Sequence, residues 1–525
     1  MEKILWICKE SFTGFSAYTI SEFKEYINEA LFIHPTESIL NQVTYRNFSK
    51  INPGVKIYHL DKVITDFSNK KSIDKSIDSM ITEYLNKYSD FFGYNELLMS
   101  SQIFTTPYHY RFYFRDLNQE EKNVILFLMF KNIEEILIQS KPTYIFDFDN
   151  SEIGRSILFL IAKKLSIPYI TIEHTRFKGY LIPNFSLGRK NDDYLISPMT
   201  DQDHVSKDSF QELVENFRNQ VHIMNKDYEN NKTTKKTNNR LIKDLLRLFR
   251  YCFVVLKKFS SILKLNRAYQ KSPFFASTSL SILFFIKLFI RERYLLSHRN
   301  KIFVLPKSDE EYIYFPLHLI PESSTLIKCP NFPNEEIIIK RISMLMPPNM
   351  KIYIKEHGAM IGERPLRFYK ELNRIHNVQF IRLDAFDDPK QWILGSKGVI
   401  TISGTTAFEA AMLGVPSIVL GNVPFEHIKG VFKATDLNEL KANLRELLKL
   451  SIPIDNKSSN SKYLEVIAEY GEKVDFTRIH NLFYESLLKG KQLSQIKNIY
   501  LKHDLHRLSN VFRKGIEIHK KNKIV

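Results

Sequence analysis

Cysteine is scarce in this sequence, which excludes disulfide-stabilised folds and cysteine metal sites. The 525 residues include three cysteines, Cys8, Cys252 and Cys329, which lie far apart and are odd in number. Neither a disulfide framework nor a metal-ligand spacing is present. The first eleven residues carry acids at Glu2 and Glu10 and no small-residue cleavage site, so we expect no signal peptide. These absences predict a cytoplasmic protein.

Several binding motifs are missing as well. The chain begins with a predicted strand, Lys3 to Cys8, and a polar turn, Lys9 to Gly14, without the Gly-x-Gly-x-x-Gly fingerprint of dinucleotide-binding proteins. No zinc finger, RNP-type strand or homeodomain-like pattern accompanies the positive charge, so we predict no nucleic-acid partner. No Asp-x-Asp pattern follows the predicted strands in the second half of the chain. We therefore expect no cofactor and no obligatory divalent ion.

The chain is too long for a single hydrophobic core. At 525 residues and 44% hydrophobic content it predicts two domains with additions. We place an amino-terminal Rossmann-like acceptor domain at 1–197 and a nucleotide-sugar-binding Rossmann-like domain at 301–450. Between them, 198–300 combines a basic helical segment with an Asn/Lys/Thr-rich stretch, Asn225 to Asn239, that predicts a flexible loop. Helices follow at 451–525.

The formal charge of +17 is concentrated in one region. Between Lys232 and Arg299 there are sixteen lysines and arginines against two acids. From Leu241 to Leu265 apolar residues recur at helical spacing with cations between them, a pattern typical of helices that lie on anionic lipid. The run Pro273 to Ile290 is more apolar, but its serines, threonine and lysine leave it short of a membrane span. Two interpretations stay open: a helical linker with a solvated basic face, and peripheral contact of 232–299 with an anionic membrane.

A strand, a turn of small residues and a helix form the most informative stretch. Gly398 to Ile402 predicts a buried strand, Ala407 to Leu413 a helix, and Ser417 to Leu420 the next strand, the alternation of a parallel sheet. The turn after the first strand reads Ser403-Gly404-Thr405-Thr406. Hydroxyls and free N–H groups at the positive end of a helix dipole bind phosphate, and Glu409 is placed to accept hydrogen bonds from a ribose. The alternative is that these residues only cap the helix.

Ionisable residues follow another predicted strand of the same half. Lys351 to Lys355 ends in Glu356 and His357, at the carboxyl edge where open α/β sheets bind ligands. His357, with Lys355 or Arg364, is suited to stabilise or protonate a leaving phosphate. A surface ion pair with a neighbouring glutamate is the alternative for Arg364. His318 follows a further strand and can border the same site, although a hydrogen-bonded structural histidine is the favoured interpretation.

These residues carry a resemblance to a known family. From Ile302 to Phe425, and more thinly from Ile145 to Leu187, the chain resembles the bacterial capsule polysaccharide synthesis proteins. That family is similar to GT-B glycosyltransferases, including enzymes that transfer Kdo or sialic-acid-like sugars from CMP donors. It reads His-Pro where this chain has His357-Gly358, and a glycine loosens the turn after the strand. The matching residues are Tyr312-Ile-Tyr-Phe-Pro-Leu-His318, Pro321-Glu322, Thr325, Lys355-Glu-His357, Gly362-Glu-Arg364, Phe368-Tyr369, Asn377-Val378, Ser403-Gly-Thr-Thr406, Glu409-Ala410, Gly414, Pro416 and Gly421.

The resemblance implies a GT-B-like α/β fold, with two Rossmann-like domains whose parallel sheets face a cleft and terminal helices that can cross back to the first domain. It implies an inverting, metal-independent glycosyltransferase of capsule or surface polysaccharide synthesis at the inner face of the cytoplasmic membrane. Its donor would be a CMP-linked sugar and its acceptor a glycan or lipid-linked glycan. Two alternatives remain: an isomerase resembling the non-hydrolysing UDP-GlcNAc 2-epimerases, which has no reason to sit at a membrane, and a catalytically silent scaffold.

A βαβ unit in the first half supplies candidates for the catalytic base. Thr143 to Phe148 and Pro168 to Ile172 predict strands, joined by an apolar-striped helix from Ile153 to Leu165. Asp149 follows the first strand and Glu173 the second, so both lie at one sheet edge. An inverting transfer needs a base that takes the proton of the acceptor hydroxyl, with Asp149 the first candidate and Glu173 the second. The alternative is that Asp149 caps the helix that follows.

Overall fold

The computed structural model describes residues 1–69, 77–89, 93–106, 109–177, 179–201, 206–219, 240–265, 270, 272–305, 307, 309–382, 389–498 and 500–522. The stretch Asn225 to Asn239, predicted as a flexible loop, lies outside these residues. Within them the chain forms two seven-stranded sheets with helices on both faces.

The first sheet has the order β14-β6-β5-β4-β1-β2-β3. Strands β1 to β5 are parallel, whereas β6 runs antiparallel to β5 and β14 antiparallel to β6. Its strands are β1 (Lys3–Cys8), β2 (Ile27–Phe32), β3 (Lys56–His59), β4 (Tyr144–Phe146), β5 (Tyr169–His174), β6 (Tyr180–Asn184) and β14 (Glu472–Lys473).

The second sheet has the order β13-β12-β11-β8-β9-β10-β7, and every pairing in it is parallel. Parallel strands that are covered on both faces consist of continuous apolar runs, so most strands of this sheet could be predicted from the sequence. Its strands are β7 (Phe303–Val304), β8 (Glu311–Pro316), β9 (Met350–Lys355), β10 (Val378–Ile381), β11 (Gly398–Thr401), β12 (Ser417–Val419) and β13 (Val431–Lys433).

Helices connect these strands and complete the chain. The α-helices span Thr13–Thr19, Glu37–Leu40, Gln42–Ile51, Asp61–Ser68, Ile77–Tyr88, Tyr94–Met99, Gln119–Ser140, Ile153–Lys164, Asp193–Thr200, Asp208–Asn219, Arg240–Leu263, Thr278–Ser297, Arg299–Ile302, Ser323–Leu326, Glu335–Leu345, Leu366–Asn373, Pro389–Leu394, Thr405–Leu413, Leu437–Lys449, Lys457–Tyr470, Phe476–Leu488 and Leu501–Asn522. Short 3-10 turns span Glu10–Phe12, Ile20–Glu22, Gly358–Met360 and Leu493–Gln495.

The terminal helices cross back to the first sheet, as the resemblance implied. Strand β1 alternates its side chains between two layers, with Leu5 and Ile7 on one face and Trp6 on the other. Phe512, from the last helix, packs edge-on against Trp6 at 5.9 Å and stacks on Phe146 at 4.6 Å. The amino-terminal layer is therefore completed by the end of the chain.

The predicted fold class is confirmed, with one correction. Two α/β sheets are present, strands β1 to β6 lie within residues 1–197, and β7 to β13 lie within 301–450. The first sheet is not wholly parallel, because β6 and β14 add an antiparallel edge.

The basic segment forms two helices, Arg240–Leu263 and Thr278–Ser297, that lie side by side. In the part of the chain that the structure describes, no helix is both long and apolar enough to cross a membrane.

Candidate active site

Each sheet reverses its winding direction at one point, and open α/β sheets bind ligands at such points. In the second sheet the chain winds outward from β8 through β9 and from β11 through β12, so the reversal lies between β8 and β11. In the first sheet it lies between β1 and β4. The residues after these strands are therefore the first candidates for a site.

The helix Thr405–Leu413 begins at the reversal point of the second sheet without a side-chain cap. Its N-cap residue is Gly404, and no side chain among the described residues accepts a hydrogen bond from its first turn. The interpretation of the turn as capping alone is therefore wrong. Thr405 and Thr406 are half-buried, and their hydroxyls bond to no described residue. Beyond them the helix is buried, so its open end points at the sheet edge.

Ser403 holds the turn in place from inside. Its side chain is buried, and its hydroxyl donates to the carbonyl of Ser324 at 2.6 Å. This bond ties the turn after β11 to the loop after β8. The hydroxyl hydrogen is thus engaged, and the contact of Ser403 with phosphate stays a prediction. Glu409 is buried further along the helix, and its contact with a ribose stays a prediction.

His318 is a structural histidine, as the favoured interpretation held. Its ring is buried, with Nδ1 3.0 Å from Glu335 Oε1 and Nε2 3.0 Å from Thr401 Oγ1. Both nitrogens are engaged, so the ring cannot offer one to a substrate without breaking a buried bond. A β-carbon on Gly404 would lie 3.2 Å from His318 Nε2 and 2.6 Å from Thr401 Oγ1, so the turn needs glycine there.

Arg364 joins two buried carboxylates beneath this site. Its guanidinium is fully buried, with Nε 3.1 Å from Glu356 Oε1 and Nη2 2.8 Å from Glu335 Oε2. Nη2 also donates to the carbonyl of His318 at 2.7 Å. Glu356 accepts a further bond from the Tyr369 hydroxyl at 2.5 Å. The pairing of Arg364 with a neighbouring glutamate is present, but it is buried and not on the surface. Contact of either residue with a substrate stays a prediction.

His357 is the half-buried residue that these groups position. Its N–H donates to Glu356 Oε1 at 2.7 Å, and its Nδ1 accepts from the N–H of Ala359 at 3.2 Å. The ring caps the 3-10 turn Gly358–Met360, so the turn expected to be loose is fixed by the histidine itself. Because Nδ1 accepts, a neutral ring carries its proton on Nε2. Lys355, at the end of β9, is half-exposed and pairs with no described carboxylate.

Asp149 lies at the reversal point of the first sheet, between two basic side chains. Its carboxylate accepts from Arg155 Nη1 at 3.0 Å and from the hydroxyl of Ser151, and it remains partly open to solvent. Burial alone would raise the pKa of Asp149, but Arg155 and Lys9 hold it below its usual value. The helix that follows has Glu152 as its N-cap, so the capping interpretation of Asp149 is wrong.

A second ion pair completes this edge. Lys9 Nζ lies 3.3 Å from Glu152 Oε1, and both side chains are largely buried. The backbone of Glu152 has a φ of 88°, a conformation that costs a non-glycine residue about 1–3 kcal/mol. Such strain persists only where the surrounding structure holds it. The ion pair of Lys9 and Glu152 therefore joins the turn after β1 to the loop after β4.

Glu173 connects the two domains. Its Oε1 lies 2.6 Å from Lys328 Nζ, and both side chains are buried. The role of Glu173 as the second candidate base stays a prediction. Next to it His174 is exposed, yet the surrounding protein and the charge of Arg176 lower the pKa of its ring to about 4.

The loop after β6 packs against the ion pair of Glu173 and Lys328. A β-carbon on Gly188 would lie 2.9 Å from Asn150 Nδ2 and Glu173 Oε2 and 3.1 Å from Lys328 Cε. The Gly188 carbonyl also accepts from Asn422 Nδ2 at 3.1 Å. The carboxyl edges of the two sheets therefore meet, and Asp149 is one residue from the contact.

Asp192 anchors this loop and supplies a test of it. Its buried carboxylate accepts from the N–H of Phe185 at 3.0 Å, and burial raises its pKa to about 7. The folded state therefore binds more protons than the unfolded state between about pH 4 and 7, and stability falls as pH rises through that window. Relative to Asp192→Asn, the wild-type free energy of unfolding should fall by up to about 1.4 kcal/mol per pH unit.

The measurement is denaturant unfolding of both proteins from pH 4.5 to 7.5. Asp193→Asn is the matched control, because Asp193 is the exposed neighbour on the same helix and should leave the pH dependence unchanged. A difference between wild type and Asp192→Asn that does not vary with pH would contradict the assignment.

Three residues of this site escaped the sequence analysis. Arg155 is a cation in the first turn of a largely buried, apolar helix whose other cations are at its end, and that position is the signal that marks it. Glu335 and Lys328 gave no such signal, since each stands among ordinary polar residues. Among the residues that the structure describes, no three His, Cys, Asp or Glu side chains are grouped as metal ligands.

Comparisons with known proteins give distant structural likenesses. No family model matches the chain, and no curated protein matches it in sequence. Among solved structures it is similar to the β-Kdo 2,7-transferase KpsC of Thermosulfurimonas dismutans, at 11% identity over 68% of this chain and 89% of that one, with a TM-score of 0.30. It is also similar to the UDP-GlcNAc 2-epimerase of Neisseria meningitidis bound to UDP-GlcNAc, at 14% identity over 89% and 99% of the two chains, with a TM-score of 0.26. A putative UDP-N-acetylglucosamine 2-epimerase of Listeria monocytogenes follows at 12% identity, 94% and 97% coverage and a TM-score of 0.25.

Proposed function

We propose that the protein is a glycosyltransferase of bacterial capsule or surface polysaccharide synthesis. It takes a sugar, of the Kdo or sialic-acid type, from a CMP-linked donor and transfers it to a glycan or lipid-linked acceptor. One observation carries the proposal: a buried helix opens, without a side-chain cap, at the reversal point of the second sheet. An open helix end at that position suits the phosphate of a nucleotide.

The donor end of the site is assigned to four groups. Thr405 and Thr406 offer hydroxyls beside the open helix end, and Ser403 with Gly404 shapes the turn that carries them. His357 offers Nε2–H to a phosphate oxygen, and Lys355 adds a positive charge at the same edge. Glu409 takes the ribose. A leaving group of one phosphate suits this set, because the helix end and His357 can stabilise its charge without a metal ion.

The acceptor end is assigned to Asp149. Arg155 and Lys9 hold its pKa below the usual value, so the carboxylate is ionised at neutral pH, and it is partly open to solvent, where an acceptor can reach it. The acceptor oxygen attacks the anomeric carbon as its proton passes to Asp149, and the bond from that carbon to the CMP phosphate breaks with its electron pair going to the phosphate. Attack from the face opposite the leaving group inverts the anomeric configuration.

We propose that the protein acts at the inner face of the cytoplasmic membrane, where lipid-linked acceptors are extended. Residues 232–299 supply peripheral contact with anionic lipid through their excess of cations. The partners are then a nucleotide sugar, an acceptor glycan and a bilayer surface.

Thermal unfolding with nucleotides tests the donor site. CMP, CDP, UMP, UDP and GDP are added in turn to the wild type and to Thr405→Val/Thr406→Val, which removes two hydroxyls at nearly constant volume. We expect CMP to stabilise the wild type by about 2.7 kcal/mol at one hundred times its Kd, and to stabilise the variant less. Thr82→Val is the matched control, since Thr82 is exposed and its hydroxyl donates within its own helix.

Each other outcome points to one alternative. Stabilisation by UDP would replace the CMP-linked donor by a UDP sugar, and product formation without an acceptor would then identify an epimerase. No response to any nucleotide would contradict the donor site and leave the silent scaffold as the account of the chain.

A further inference from the structure

The two helices of the basic segment form an antiparallel hairpin with a defined inner face. Arg247 Nη2 lies 2.5 Å from Glu292 Oε2, and the rings of Tyr251 and Phe285 stack at 4.8 Å. The residue numbers of the contacts rise along the first helix and fall along the second, so the two helices run antiparallel. These contacts use one side of the helix Arg240–Leu263, and none of the described residues covers the opposite side.

The unpartnered side is apolar over most of its described length, with Ser260 as an exposed polar residue on it. Phe249 and Phe253 are 64% and 67% exposed, where a globular surface rarely leaves two phenylalanines of one helix. The neighbouring helix adds Leu283, Ile286 and Ile290 at helical spacing on its own open side. Apart from Tyr251, which stacks on Phe285, the exposed apolar residues of the first helix are Leu245, Leu246, Phe249, Phe253, Val254, Leu256, Phe259 and Leu263.

Cations border this apolar surface. Arg250 and Lys257 are exposed on the same helix, and exposed Lys264 follows its last residue. On a helical wheel at 100° per residue, Arg250 and Lys257 lie beside the stripe formed by Leu245, Phe249 and Leu256. An apolar stripe bordered by cations is complementary to acyl chains beneath anionic headgroups.

The body of the protein holds the hairpin beside both sheet edges. Arg291 Nη1 donates to the carbonyl of Glu363 at 3.0 Å, and Gly362, with a φ of 84°, passes so close to Leu288 that a β-carbon would lie 2.9 Å from its carbonyl. Phe274, in the turn of the hairpin, packs edge-on against His34 at 5.5 Å. Gly362 follows His357 by five residues, and His34 follows β2. The hairpin therefore flanks the edge that carries the candidate active site.

We infer that the outer face of the hairpin, formed by the exposed apolar residues of both helices, inserts shallowly into an anionic bilayer surface. The phenyl rings and leucines enter the acyl boundary while the bordering cations contact phosphate headgroups. The inference identifies the surface that would contact the bilayer in the proposed function. It rests on that function only in taking the acceptor to be lipid-linked. A peripheral protein seated in this way would bring its active-site edge to the membrane plane.

Vesicle sedimentation of the full chain tests the inference without nucleotide or acceptor. The vesicles are phosphatidylcholine alone and phosphatidylcholine with 30% phosphatidylglycerol. We expect binding to the anionic vesicles, a loss of at least about tenfold in Phe249→Glu/Phe253→Glu, and a loss of about tenfold in Arg250→Glu/Lys257→Glu. Arg247 is left intact, because its ion pair with Glu292 holds the hairpin together.

Met344→Glu is the matched control, since Met344 is also an exposed apolar helix residue but lies on the second domain away from the hairpin. It should bind anionic vesicles as the wild type does, and all variants should keep the wild-type unfolding midpoint. The inference would be overturned if Phe249→Glu/Phe253→Glu bound anionic vesicles as well as the wild type, or if the wild type bound neither kind of vesicle. So would a wild-type dimer in light scattering that the same variant dissociates, because the face would then be covered by a second copy. Since the sugar-transfer assay is separate, a protein that binds lipid but no nucleotide would reject the proposed function and keep this inference.

Discussion

Arg364→Ala is expected to lower the free energy of unfolding by about 3–5 kcal/mol, the largest effect on stability predicted for this chain. The guanidinium is fully buried between Glu335 and Glu356. Its removal leaves two buried carboxylates without their counter-charge and takes a donor from the carbonyl of His318. Denaturant unfolding measures the loss.

Two further variants sharpen this test. Arg364→Lys keeps the charge but not the planar fork, so it cannot reach both glutamates and should also be clearly destabilised. Arg367→Ala removes an exposed arginine three residues further on and should change stability by no more than about 0.5 kcal/mol. A loss below about 1 kcal/mol for Arg364→Ala would show that Glu335 and Glu356 do not depend on this cation.

His357→Asn should lower turnover by about 10²–10⁴-fold while leaving the unfolding midpoint near that of the wild type. The ring has two separable roles: Nδ1 caps the turn Gly358–Met360, and Nε2–H is proposed to meet the leaving phosphate. Asparagine is itself a good cap, so this variant keeps the turn and removes the imidazole. The measurement is nucleotide release from the donor whose nucleotide stabilises the protein.

Comparison with two other variants separates chemistry from structure. His357→Ala loses both the cap and the ring, so it should lose turnover and some stability. His318→Ala breaks the hydrogen bonds to Glu335 and Thr401, so its main effect should be a lower free energy of unfolding. If His357→Asn turned over at the wild-type rate, the role of His357 at the leaving phosphate would be disproved.

Most of the second sheet could be predicted from the sequence, and the parts of the first sheet that were missed have physical causes. Strand β2 includes Glu29, which reads as an interruption but is buried beside Lys3 at 3.2 Å. Strand β6 includes Pro183, which lacks an N–H and usually argues against a strand. Both depend on partners distant in sequence, which local pattern does not reveal.

For the candidate site, the positions of the residues were predictable, but their pairing was not, apart from that of Arg364 with a glutamate. The turn at Ser403 and the edge at His357 lie where alternating strands and helices place them. Whether a charged or hydroxyl side chain faces a ligand depends on a partner elsewhere in the chain. Ser403 bonds to Ser324 and Glu173 to Lys328, and neither partner is marked by spacing or composition.

The chain has two tryptophans, and each is buried in a different sheet layer. Trp6 lies in the first sheet against Phe512, and Trp392 lies beside the second sheet, where its carbonyl accepts from the Tyr312 hydroxyl at 2.9 Å. Their fluorescence therefore reports on the two layers separately. In a Trp392→Phe protein the emission of Trp6 follows the docking of the last helix, so a probe already present in the chain distinguishes release of the carboxy terminus from melting of the second domain.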